Sequence, residues 1–276
     1  MKRLSIGLLP LACAAAWSGC SPQHRIQHLA QQHFLSAQEI QTSHAGIALF
    51  DQVQKTSLYT YNANKYFVPA SNTKIVTCYA ALKHLGDSIA GIQYAETEKA
   101  VWVRPTGDPT LLHRDYSSQP VMQFLREKAK PVFIELAGWK STAWGSGWSW
   151  DDFDQSYMAE RSPLPIYGNV LEWHQELDSS TNIPNASPTV SIYSFPEVNW
   201  KVHFDPSSPG TELSVTRSMQ ENEFFIREGK KKMSVDVPFV TKGAASAVGF
   251  LKDSFPEGIA IADPSDAANT KYKPLF

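Results

Sequence analysis

Ser71-Asn72-Thr73-Lys74 decides the reading of this chain. A serine and a lysine three apart lie on one face of a helix, one turn from each other. Val68-Pro69-Ala70 is a stiff, extended lead-in. Ile75-Val76-Thr77-Cys78-Tyr79-Ala80-Ala81-Leu82 is apolar enough for a buried helix that ends near Gly86. The serine hydroxyl would sit at the positive end of that helix, with an amine one turn behind to take its proton. A lysine acts as a base only while neutral, so the arrangement calls for burial of Lys74. The spacing alone is weak, because the same four residues suit a serine N-cap followed by a solvated surface lysine.

The flanks change the weighing. His44-Ala45-Gly46-Ile47-Ala48-Leu49-Phe50 reads as a strand, residues 51–56 as a polar turn, and Ser57-Leu58-Tyr59-Thr60-Tyr61 as the return strand. Asn62-Ala63-Asn64 and Phe67-Val68-Pro69 lead into the serine helix. This succession resembles the penicillin-recognising serine hydrolases. In detail it is similar to the D-alanyl-D-alanine carboxypeptidase/endopeptidase family, peptidase family S13, the class C penicillin-binding proteins. Further matches are Thr106-Gly107-Asp108-Pro109-Thr110-Leu111, Gly147-Trp148-Ser149-Trp150-Asp151-Asp152 and Ser162-Pro163-Leu164-Pro165. The resemblance covers most of residues 44–255.

The resemblance implies an α+β fold: part of a β-lactamase/transpeptidase-like domain with a large β-rich insertion after the Ser-x-x-Lys helix. It implies a serine-type D-Ala-D-Ala carboxypeptidase/endopeptidase acting on peptidoglycan stem peptides. Ser71 would be the nucleophile and Lys74 the proton acceptor, with the Ser71 backbone N–H forming part of the oxyanion hole. β-Lactams would acylate the same serine. No metal or organic cofactor is implied.

Two further elements belong to this chemistry, a Ser-x-Asn or Tyr-x-Asn relay and a Lys-Thr-Gly or Lys-Ser-Gly strand. Neither is convincing here. Ser180-Thr181-Asn182 lies in a polar loop before Pro184, and Lys242-Gly243 lacks the middle hydroxyl residue. Tyr167-Gly168-Asn169 has the letters of the Tyr-x-Asn variant, but its neighbour Ser162-Pro163-Leu164-Pro165 matches an insertion segment of the family. A chain ending on Leu275-Phe276 is expected to be a truncated member, impaired as a peptidase. Two alternatives stand beside this: a β-lactamase or esterase using Tyr167, and a non-catalytic, lipid-anchored remnant that binds peptidoglycan.

The N-terminus reads as an export signal. Lys2-Arg3 precede a short apolar run, Leu4 to Trp17, and Trp17-Ser18-Gly19-Cys20 resembles a lipoprotein signal with Cys20 as the acylated residue. The bulky Trp17 departs from the usual pattern and leaves ordinary signal cleavage open. The chain is expected to be periplasmic, held to the membrane through a lipid anchor only. Cys13 would leave with the signal. Cys78, within the apolar run, is expected to be a buried core thiol. The 276 residues carry a formal charge of −2, more negative once Lys2 and Arg3 are lost, which gives no reason to expect nucleic acid.

Four segments follow: 1–20 as signal, 21–90 as the start of the transpeptidase-like domain, 91–255 as the insertion, and 256–276 as the start of the return. Residues 23–42 read as one amphipathic helix. His24 and His28 are four apart but lack a third ligand. Strands are expected at 100–103, 132–136, 190–193, 200–204, 224–226 and 234–237, and helices at 119–130 and 244–253. Lys230-Lys231-Lys232 should be a solvated hairpin tip. Trp139, Trp144, Trp148 and Trp150 read as a packed insertion core with one or two exposed rings, although a platform for a glycan is conceivable. Asp151, Asp152 and Asp154 suit a helix start better than a Ca²⁺ loop, whose closing Glu is replaced by Ser162 or Pro163.

Overall fold

The computed structural model describes residues 22–178, 189–207, 209–263 and 271–276. The export signal, Cys13, Cys20 and Ser180-Thr181-Asn182 lie outside them. The chain divides into two compact units, one up to Ala80 and one from Ala81 onward.

The first unit opens with helix α1 (Pro22–Ala30), a π-turn over Gln31–Leu35 and the short α2 (Gln38–Gln41). The single helix expected over 23–42 is therefore broken. Ser36 Oγ donates to the Gln32 carbonyl at 2.6 Å, and Ala37 turns extended with ψ 134°. A serine that bonds back to the preceding turn competes with the helical ladder. The hairpin then follows as β1 (Ile47–Asp51) and β2 (Thr56–Tyr61), antiparallel, with Ile47 opposite Tyr61. Asp51 Oδ1 closes its turn by accepting from the backbone N–H of Val53 and Gln54, at 2.8 and 2.9 Å. The loop after β2 folds back over the hairpin. His44 stacks on Phe67 at 4.3 Å, and Asn62 donates to the Ala45 carbonyl. Gly46 permits this contact, since a Cβ there would lie 2.5 Å from Phe67 Cζ.

The second unit is built on three sheets. Five strands, β3 (Ile92–Glu96), β4 (Val101–Pro105), β5 (Val132–Ile134), β12 (Ile259–Ile261) and β13 (Lys273–Leu275), lie in the order β12-β5-β4-β3-β13. A second sheet orders β11 (Met233–Pro238), β6 (Val170–Asp178) and β7 (Thr189–Phe195). A third orders β8 (Lys201–Phe204), β10 (Glu223–Arg227) and β9 (Ser214–Arg217). β12 and β13, beyond residue 255, add to the sheet that β3 begins.

The period of two is plain in β4 and β5. Val101, Val103, Val132 and Ile134 point into the core, while Trp102 and Phe133 stack on the other face at 5.0 Å. Helix α4 (Pro120–Lys128) starts on a proline, needs no N–H there, and buries Val121, Met122 and Leu125. Helix α5 (Ala245–Leu251) buries Ala247, Val248 and Leu251. Arg217, at the end of β9, is buried, with no carboxylate of the described residues in salt-bridge contact. Its guanidinium donates to the carbonyls of Pro238, Ser218, Met219 and Phe153. Burial pulls its pKa down, and the four carbonyls take four of its five donors.

The Lys230-Lys231-Lys232 segment is exposed, but it joins β10 to β11, which belong to different sheets. It is a crossing between sheets and not a hairpin tip. Sequence proximity suggested a hairpin; pairing with β6 and β9 claimed both strands instead.

Candidate active site

The chain approaches Ser71 through a tight turn. Ala70 has φ 46°, left-handed backbone that a residue with a Cβ adopts at a cost. Residues Ala70–Asn72 form one 3₁₀ turn, closed by the Asn72 N–H on the Pro69 carbonyl at 2.9 Å. It runs directly into helix α3 (Thr73–Leu85). Ser71 thus precedes the α-helix proper, where backbone N–H groups lack intrahelical partners and the dipole is positive. Lys74 Nζ donates to Ser71 Oγ at 3.1 Å.

Two expectations about this helix need correction. None of its residues is buried: Ile75 is 70% exposed and Val76 67%. Cys78 is exposed and not a core thiol. Apolar composition states what a helix can bury, but the burial itself comes from a packing partner. Ser71 and Lys74 are exposed as well, so the desolvated amine that a lysine base calls for is not supplied by the described residues.

Tyr167-Gly168-Asn169 takes a different place. Asn169 is buried: Nδ2 donates to the Glu160 carbonyl and to Ser162 Oγ, and Oδ1 accepts from the Ile166 N–H at 3.2 Å. Tyr167 packs edge-on against Phe195 and Phe250, and burial raises its pKa. Both Nδ2 donors are committed to internal partners, so the amide has no N–H left to give to a proton relay. Tyr167 lines a cleft of about 300 Å³ with His113, Arg114, Glu172, Phe195 and Asp236. Arg114 donates there to Glu172 at 3.0 Å and to Asp236 at 2.8 Å. No sequence motif points to this trio, because three strands or loops far apart in the chain supply it.

The other motif matches are structural. Thr106 Oγ1 lies within donating reach of the Ala90 and Gly91 carbonyls and gives its one proton to either, Asp108 caps its own turn through Thr110, and Ser162 and Leu164 are buried. Asp151 and Asp152 lie in a 3₁₀ turn over Trp150–Asp152. Among the described residues no group of three His, Cys, Asp or Glu could hold a metal ion. Of the four tryptophans, Trp139 and Trp144 are half-buried, while Trp148 and Trp150 are exposed.

The sequence matches the family model for the D-Ala-D-Ala carboxypeptidase 3 (S13) family over residues 27–271. The chain belongs to that family. Its fold is α+β and of the penicillin-binding-protein kind. The solved structure of penicillin binding protein 4 (dacB) from Haemophilus influenzae resembles this S13 chain with a TM-score of 0.57 at 18% identity. The match covers 83% of this chain and 55% of that one, so this S13 member spans little more than half the length of that relative. No curated protein matches the sequence. Among the described residues no helix is long and apolar enough to cross a membrane.

Proposed function

We propose that this S13 chain carries the nucleophile and first proton acceptor of a serine-type D-Ala-D-Ala carboxypeptidase/endopeptidase that acts on peptidoglycan stem peptides. The observation that carries the reading is the hydrogen bond from Lys74 Nζ to Ser71 Oγ at the helix start. Family membership supplies the substrate class. Ser71 Oγ attacks the carbonyl between two D-alanines and its proton passes to Lys74 Nζ. The C–N bond breaks, the amine leaves with that proton, and a serine ester remains. Water then hydrolyses the ester and restores the hydroxyl. The Ser71 backbone N–H, at the positive end of α3, is one donor to the oxyanion. β-Lactams acylate the same oxygen.

The sequence holds no Lys-Thr-Gly or Lys-Ser-Gly, the motif to which this chemistry assigns the substrate-carboxylate anchor and the second oxyanion donor. Loss of one such donor costs roughly a hundred- to a thousand-fold in rate. The reading therefore expects slow chemistry from these 276 residues. D-alanine release from a D-Ala-D-Ala-terminated tripeptide tests it. Slow release that vanishes in Ser71→Ala supports the assignment, and release unaffected by that substitution refutes it.

The export signal and Cys20 support a periplasmic location with a lipid anchor. Mass spectrometry of the mature N-terminus decides this: a diacylglyceryl-modified Cys20 is expected, and an unmodified start elsewhere rules the anchor out.

A further inference from the structure

The guanidinium of Arg161 is fixed by the protein but not neutralised by it. The Arg161 backbone N–H donates to the Ala143 carbonyl at 2.9 Å. Nη2 donates to the Trp144 carbonyl at 2.7 Å and to Thr142 Oγ1 at 3.1 Å, and the Thr142 hydroxyl donates to the same carbonyl at 2.8 Å. The guanidinium carbon lies 5.6 Å from the centre of the Trp148 ring, within cation–π reach. Gly145 makes room for that ring, since a Cβ there would overlap Trp148 Nε1. Both Nη2 hydrogens are thus spent. Nε and Nη1 carry three more, and none meets an acceptor of the described residues. No carboxylate of the described residues is in salt-bridge contact with Arg161.

Arg161 lines a cavity of about 380 Å³ in the second unit, together with the apolar Trp139, Trp144, Pro163, Met219 and Val240. Two other charged groups line it. Lys242 is held by Glu221 at 2.5 Å. Glu160 is buried, accepts from the Thr241 backbone N–H and hydroxyl at 2.8 and 2.6 Å, and partly offsets the fall that burial imposes on the Arg217 pKa. Arg161 is the cation left without an acid partner. A guanidinium only donates, so its ligand must accept, and an anion gains most. A cationic ligand would meet both Arg161 and Lys242. An inorganic anion would leave the indole, thioether and valine surfaces wet. A phosphate monoester brings up to two negative charges towards a lining that already holds Glu160, whereas a carboxylate brings the single charge that Arg161 lacks. A cavity of this size, with apolar walls and one oriented charge, therefore fits a monocarboxylate with an apolar body.

We propose that this cavity binds a monocarboxylate carrying an aromatic ring, with the carboxylate on the free donors of Arg161 and the ring against Trp139 and Trp144. The C-terminus of a peptide and a free aromatic acid share this chemistry. The assignment draws on no property of Ser71 and stands whether or not that serine is a nucleophile.

The test uses the full chain, with calorimetry and tryptophan fluorescence reading the affinity. The probes are N-acetylphenylalanine, its primary amide, 3-phenylpropionate and inorganic phosphate. N-acetylphenylalanine should bind saturably below about 10 mM. Its amide, which keeps the ring and loses the charge, should bind about tenfold more weakly. Arg161→Gln should weaken binding of the acid about tenfold, and Trp144→Ala about threefold. Lys201→Gln, which removes an exposed cation of β8 outside the cavity, should leave it unchanged. Should Arg161→Gln fail to fold, the comparison of acid with amide on the unaltered chain decides. Absence of saturable binding overturns the proposal, as does equal affinity for acid and amide, unchanged affinity in a folded Arg161→Gln chain, or phosphate binding as tight as that of the acid. Tighter binding of N-acetylphenylalanine than of 3-phenylpropionate supports the site as one for a peptide terminus, and equal binding of the two supports it as one for a free aromatic acid.

Discussion

Lys74 Nζ lies 3.1 Å from Ser71 Oγ across a single turn, and both side chains are exposed. Local helix geometry brings them together, and neither is buried by the described residues. Chemistry and stability should therefore separate here. Lys74→Ala should change unfolding free energy by less than about 0.5 kcal/mol, as for other exposed sites. Urea denaturation followed by circular dichroism checks this. A loss of several kcal/mol would make Lys74 a structural residue and take away its reading as a base.

Asn169 should behave in the opposite way. Its buried amide makes three hydrogen bonds, and its φ of 58° is one that asparagine tolerates better than alanine. Asn169→Ala should cost about 3 kcal/mol of stability, from orphaned partners and backbone strain together. Tyr167→Phe should leave β-lactam acylation of the chain unchanged. An acylation rate that falls with Tyr167→Phe in a folded protein would restore Tyr167-Gly168-Asn169 as a catalytic motif.

Tyr272 sets an alkaline limit. Its hydroxyl donates to Glu135, its ring covers the Arg104 guanidinium at 3.7 Å, and burial beside the carboxylate pushes its pKa up to about 12 from 10. The folded chain holds this proton more tightly than the unfolded one. Its contribution is therefore complete below pH 10 and is lost as pH rises from there through about 12. Tyr272→Phe should flatten the fall of stability over that window. Denaturation midpoints measured between neutral pH and pH 12 test this, and an unchanged slope in the variant would locate the alkaline sensitivity elsewhere.

Much of the second unit was legible in sequence because its signals are local. Val101 and Val103 alternate with Trp102, and α4 carries its proline start and its Val121–Leu125 spacing within nine residues. The hairpin and its Asp51 turn were equally readable. What failed depended on partners. The apolar run after Ser71 reads as buried whether or not anything covers it, so Cys78 and Ile75 were misplaced. β3 and β13 went unread. β13 is a three-residue edge strand containing Pro274, and only its pairing with β3 defines it. The continuous helix over 23–42 failed through Ser36, whose back-bond to Gln32 no periodicity reveals. The Arg114, Glu172 and Asp236 cluster joins residues distant in the chain, beyond the reach of any motif.

Mass-spectrometric mapping after prolonged incubation with a fluorescent penicillin tests whether Ser71 is a nucleophile assisted by Lys74. A slowly formed adduct is expected at no more than one per chain, located on Ser71, absent in Ser71→Ala and strongly reduced in Lys74→Ala. No adduct on the folded chain, or an adduct that persists in Ser71→Ala, would contradict it.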